Sequence, residues 1–148
     1  MRLTVTEVHQ RSQGNVWATF SSPQGDGMVQ WKADRYPAGK GRSYHVEFDI
    51  LIPIETSMIS RTIPPPNAGF IHFGEGTQVT GLIESMDEDG VGYLRISTDC
   101  LIMVETRLDA AAVGMTVSIR LNPDQLHATL YDVVGGRFGP PPSPPAGG

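Results

Sequence analysis

Apolar and polar residues alternate with a period of two through most of this chain, and no other feature constrains its fold as much. Val117, Ile119 and Leu121 interleave with Thr116, Ser118 and Arg120, the pattern of a strand with one buried face. Strand-like runs extend over Leu3 to Val8, Val16 to Phe20, Met28 to Trp31, Tyr44 to Ile54, Gln78 to Ser85, Val91 to Ser97, Leu101 to Thr106 and Gln125 to Val133. Turn chemistry separates them, as in Gln13-Gly14-Asn15, Ser22 to Gly27, Pro37-Ala38-Gly39, Asp87-Glu88-Asp89-Gly90 and Asn122-Pro123-Asp124, where glycine, proline and Asn/Asp side chains favour reversal. Only Leu108 to Val113, with three alanines, has a helical cast.

Order and spacing recur. Gly14-Asn15-Val16 and a strand through Phe20, a short strand at Trp31, then Gly41 and a strand through Ile50 form one pattern. Gly90-Val91-Gly92 and a strand through Ile96, a strand at Met103, then Gly114 and a strand through Leu121 repeat it about 73 to 76 residues later. We read this as duplication of a five-stranded unit, with glycines where a small curled sheet must bend. The expected architecture is all-β: two small five-stranded, OB-like barrels in tandem. A single β-sandwich of nine or ten strands satisfies the same pattern.

The division that follows is a first barrel over 1–63, a proline-rich connector and joining strand over 64–76, a second barrel over 77–134 and a tail over 135–148. Pro64, Pro65 and Pro66 cannot donate to a ladder, which makes their segment a surface connector. The tail, rich in Gly and Pro, holds too little apolar area to offset its ordering entropy, so it is expected to be disordered and partly polyproline II.

The formal net charge is −5. Residues 1–76 carry seven basic and seven acidic side chains, and residues 77–148 four basic and nine acidic, so the whole surplus lies in the second half. An acidic half is a poor surface for phosphate backbones. No apolar run approaches the roughly 20 residues that cross a bilayer as a helix, and the first residues alternate as a strand rather than forming a signal peptide. Cys100 is the one cysteine, so neither a disulfide framework nor a thiolate zinc site is available. A cytoplasmic location without membrane association is the expectation.

For catalysis the pattern is unpromising. His9, His45, His72 and His127 show no paired metal-ligand spacing, and no nucleophile elbow, phosphate loop or nucleotide fingerprint occurs. Cys100 opens the apolar run Leu101-Ile102-Met103-Val104 and suits a core position. The acidic Asp87 to Gly90 lacks the twelve-residue ligand series of a calcium loop and suits a solvated turn. The expectation is therefore no enzyme, no metal and no cofactor.

Binding is better served. Residues 31–44 gather Lys32, Arg35, Lys40 and Arg42 with Trp31, Tyr36 and Tyr44, and rings beside cations hold single-stranded nucleic acids. Trp17, Tyr36, Tyr93 and Tyr131 lie on or beside strands and become interface anchors wherever they face water. In the tail, P-x-x-P spacings at Pro141–Pro144 and Pro142–Pro145 suit a spacer. The small-barrel pattern followed by a Gly/Pro tail resembles bacterial single-stranded DNA-binding proteins, although those end in an acidic tip where this chain has Ala146-Gly147-Gly148. The stretch Val113 to Ile119 is similar to small ligand-sensing barrels of transporter ATPases. Neither likeness assigns a role to any residue. The leading expectation is a non-catalytic protein-interaction module, such as an adaptor, inhibitor or assembly factor, using the acidic second half and exposed aromatics with another protein as its partner. The alternative is single-stranded nucleic-acid binding through Lys32, Arg35, Tyr36, Lys40 and Arg42.

Overall fold

The computed structural model describes residues 1–10, 15–32 and 37–133. Ten strands appear in chain order: β1 (Arg2–Gln10), β2 (Val16–Ser22), β3 (Gly25–Lys32), β4 (Ser43–Ile50), β5 (Gly69–Phe73), β6 (Gly76–Met86), β7 (Val91–Ser97), β8 (Cys100–Glu105), β9 (Thr116–Leu121) and β10 (Leu126–Val133). Their side chains obey the period of two. On β4, Tyr44, Val46, Phe48 and Ile50 are buried while Glu47 and Asp49 face water. The alanine run gives only a 3₁₀ turn over Ala110–Ala112, begun by the Asp109 carboxylate accepting from the Ala111 amide at 2.9 Å. At the acidic turn Asp87 accepts from the amides of Asp89 (2.9 Å) and Val91 (3.0 Å), as a solvated hairpin requires.

Closure of a barrel follows from five pairings. β1 pairs with β2 and β2 with β3, both antiparallel. β3 pairs in parallel with β10, through His127↔Gln30, Ala128↔Trp31 and Thr129↔Lys32. β10 pairs with β4 and β4 with β1, again antiparallel. Phe20, Phe48 and Phe70 pack mutually in its core, with ring centroids 5.0 to 5.6 Å apart, and Trp31 meets Tyr44 edge-on at 4.8 Å, separations at which aromatic pairs attract beyond their burial.

The remaining strands continue the same sheet. β6, eleven residues long, lies between β5 and β9 over its first half and pairs with β7 over its second; β7 then pairs with β8. The segment after β4 joins this second set by two isolated bridges, Ile54↔Thr106 parallel and Ile59↔Val117 antiparallel. It therefore stands between β8 and β9 as β10 stands between β3 and β4. Each set of four strands receives its fifth from the other half of the chain.

The all-β class and the small closed barrel agree with the alternation. The expected boundaries do not describe how strands are shared: β10, assigned to 77–134, completes the barrel of residues 1–50, and residues 54–59 go with the second set. Hydrophobic patterning marks which residues are buried but not which strand they pair with, so this exchange was invisible in the sequence. The two sets repeat in detail. Each has a β-bulge, between Val5 and Glu7 and between Ile83 and Ser85. In each a glycine amide donates to the strand before the bulge, Gly41 to the Val5 carbonyl at 2.7 Å and Gly114 to that of Ile83 at 2.8 Å. The likeness is one of pairing and turn placement; common descent of the halves is not shown by it. The 135–148 tail lies outside the described residues.

Where β3 leaves its turn, Gly25 has φ +121 and runs so close to β5 that a β-carbon there would meet the Phe70 carbonyl. Gly114, at φ +91, has open space around it. Gly114→Ala should thus cost about 1 kcal/mol from backbone conformation alone, and Gly25→Ala about 3 kcal/mol or more because β5 must also move. Urea unfolding of both variants measures the difference, and equal losses would contradict the close approach at Gly25.

Candidate functional site

Because β8 alternates, Cys100, Ile102 and Val104 point inward and Leu101, Met103 and Glu105 point out. Two of those three outward positions are apolar, with Met103 58% and Leu101 41% exposed. Across the hairpin, Tyr93 stands opposite Met103 and Arg95 opposite Leu101. From the other set of strands, β4 and β10 bring Glu47, Asp49 and Tyr131 to the same place. Between them lies a groove of about 390 Å³, lined also by Asp99 of the β7–β8 turn.

Charge in the groove is predominantly acidic. Arg95 is already occupied: its guanidinium donates to Glu84 at 2.9 and 3.4 Å, and to the carbonyls of Ser97 (3.3 Å) and Thr98 (3.4 Å). The Met1 amine is turned inward, donating to the Val46 carbonyl at 2.9 Å. Asp99 accepts from the Ser97 hydroxyl at 2.6 Å, and Asp49 from that of Thr129 at 3.5 Å. Glu47 is exposed and has no hydrogen-bond or ion-pair partner among the described residues. Tyr131, 54% exposed, leans against His45 with centroids 6.0 Å apart.

Of the aromatics singled out in sequence, the structure brings Tyr93 and Tyr131 together in this groove, although they are 38 positions apart in the chain. Trp17 is buried and offers no exposed anchor. Arg35 and Tyr36 lie outside the described residues. Lys32, Lys40 and Arg42 are exposed, but the rings nearest them in sequence are not. Trp31 and Tyr44 are both buried, and the Tyr44 hydroxyl accepts from the Gly39 amide at 2.9 Å and donates to the Pro37 carbonyl at 3.3 Å. Lys40 pairs with Glu7 at 3.0 Å in an exposed bridge, an interaction typically worth less than about 1 kcal/mol. Burial, reinforced by the nearby Lys32 charge, lowers the His127 pKa and favours its neutral imidazole. Glu47, Asp49, Asp99, Leu101 and Met103 were missed in sequence, yet the four consecutive apolar residues 101–104 carried a signal. A strand exposed on one face leaves half of such a run facing water.

Among the described residues, no cluster of three or more His, Cys, Asp or Glu converges as a metal site, and no helix is long and apolar enough to cross a membrane. No protein-family model matches the chain, and no match was found among curated proteins or solved structures.

Cys100 forms part of the groove floor and is itself buried. Desolvation pushes its thiol up to about 11, partly opposed by the nearby terminal amine. At pH 8 the thiolate fraction, and with it the alkylation rate, should be roughly 100-fold below that of an ordinary cysteine. Since the raised value favours the neutral folded form, the associated stability is complete below the unfolded thiol's pKa and is lost as pH rises through about 11. Timed iodoacetamide labelling with and without urea tests this; labelling of the native protein at the unfolded rate would refute the burial.

Proposed function

We propose that the protein is a non-catalytic protein-interaction module, of the adaptor, inhibitor or assembly-factor kind, acting in the cytoplasm and seating its partner in the groove between β4, β8 and β10. One observation carries this reading: outward-facing Leu101, Met103 and Tyr131 share a concave surface with Glu47, Asp49 and Asp99. Apolar and aromatic anchors provide the energy of such contacts, and a carboxylate rim selects a cationic partner. Nucleic acid is the less supported ligand, because phosphates are repelled here and the rings flanking Lys32 and Arg42 are buried.

The test combines partner capture with groove variants. Met103→Asp together with Tyr131→Ala should weaken a captured protein's affinity by about 30-fold, the scale of a hot-spot loss near 2 kcal/mol, while leaving the thermal midpoint close to that of the parent protein. Lys32→Ala with Arg42→Ala should leave that affinity unchanged. A captured partner held equally well by the groove variant would overturn the proposal. Salt-sensitive binding of a labelled oligonucleotide, lost in the Lys32/Arg42 variant, would replace it with the nucleic-acid reading.

A further inference from the structure

Between the bridges at Ile54 and Ile59 and the start of β5, the chain is held only at its ends. The Ser60 amide donates to the Thr116 carbonyl at 2.8 Å. Pairing resumes with Gly69↔Thr80, and the Phe70 amide donates to the Gln24 carbonyl at 2.8 Å. Residues 61–68 are all exposed, Ile63 to 97%. Among the described residues, no hydrogen bond holds their backbone. Such a stretch enters a protease cleft without a ladder being broken, and nicking concentrates where the backbone is exposed and unbonded. Lifting it further toward its start costs only the Ser60 bond and the Ile59↔Val117 bridge.

One peptide bond in this stretch follows a cation. Arg61 is exposed and has no ion-pair partner among the described residues. The other described basic residues are tied down. Arg2, Lys32, Arg95 and Arg120 lie in strands, Lys40 and Arg42 belong to a turn bonded to both the amide and the carbonyl of Val5, and the Arg107 amide donates to the Ile54 carbonyl.

We propose that residues 61–68 are a processing site, at which an endoprotease with an anionic specificity pocket hydrolyses the Arg61–Thr62 bond, and that the product stays together as one two-chain particle. Water adds across the broken C–N bond, its oxygen going to the Arg61 carbonyl carbon, which becomes a carboxylate, and its protons leaving Thr62 with a free ammonium. The contacts that hold the product are already in place. β10, from the carboxyl side of the cut, pairs with β3 and β4 from the amino side, and Ile54 and Ile59, from the amino side, bridge to Thr106 and Val117 from the other. Phe70 packs on Phe20 and Phe48 across the cut, with centroids 5.4 and 5.0 Å apart. The Thr77 hydroxyl bonds both the amide and the carbonyl of Met28, at 2.8 and 2.9 Å. Hydrolysis removes only the tether. A short tether supplies an effective concentration on the order of millimolar, so its loss makes stability depend on protein concentration while every one of these contacts remains. The groove straddles the cut, with β4 in one fragment and β8 and β10 in the other, and is kept with them.

Limited digestion of the full chain with trypsin is the test, with each new amino terminus read by mass spectrometry. Arg11→Gln, Arg35→Gln and Arg137→Gln are introduced together, because those three arginines lie outside the described residues and only described sites should compete. The Arg61–Thr62 bond should be cut at least about tenfold faster than any other, as the population of the opened segment dictates, and adding Arg61→Gln should abolish the Thr62 terminus. The cut protein should elute with the uncut protein on size exclusion and unfold in one thermal transition, with a midpoint that falls on dilution while that of the uncut protein stays fixed. Cys100, buried between β4 and β8, should react with iodoacetamide at the uncut protein's rate. The processing site is overturned if another basic residue is cut first. The two-chain particle is overturned if the fragments separate without denaturant, or if Cys100 reacts at the unfolded rate once the Thr62 terminus has formed.

Discussion

The parallel pairing of β3 with β10 is the contact on which the molecule depends. A sheet of β1 to β4 alone has two open edges and an aromatic core exposed at its side. Closing it requires Ala128 to reach Trp31 across 97 positions of the chain. Closure entropy grows only slowly with separation, so burial of Leu126 and Ala128 can offset it, although such non-local pairing slows folding. The reciprocal contact, Ile54 with Thr106, ties the first half's last segment into the second half. With the buried side chains forming one continuous cluster from Met1 to Ala128, neither set of strands has a complete core without the other.

This sharing defines the limits of sequence reading here. The strand at Val117 to Leu121 was plain because three buried residues alternate with polar ones. The equivalence of Gly41 and Gly114 was also legible, since both occur where the chain needs φ near +80 to +90 before a strand. Partner choice was not, because an inward-facing Ile54 looks the same whether it packs into its own half or the other. Nor could the basic segment 31–44 be judged: Trp31 and Tyr44 resemble a stacking platform until Tyr44 is seen holding Gly39 and Pro37 from within the core.

The groove follows from the same exchange. β4 and β10 arrive from the two halves of the chain and meet the β7–β8 hairpin at a junction that no local pattern encodes, so Tyr93 and Tyr131 converge there through tertiary pairing alone. Its acidity is likewise assembled, two carboxylates coming from the half whose formal charge balances to zero and one from the half that holds the surplus. Net charge by segment is therefore a poor guide to the field at a surface built from both.

The difference between two otherwise corresponding edges gives the groove its character. Along β9 the lane is filled by β6, whose residues Thr77 and Val79 are fully buried and whose Thr77 hydroxyl donates to the Met28 carbonyl at 2.9 Å while accepting from the Met28 amide at 2.8 Å. That strand stitches the second set to β3. Along β4 the pairing reaches Met1 at Val46, and β8 comes alongside with Leu101 and Met103 turned toward water near the exposed Glu47 and Asp49. Glu47, Asp49 and Asp99 give the groove an acidic rim, a field that favours cationic groups over anionic ones.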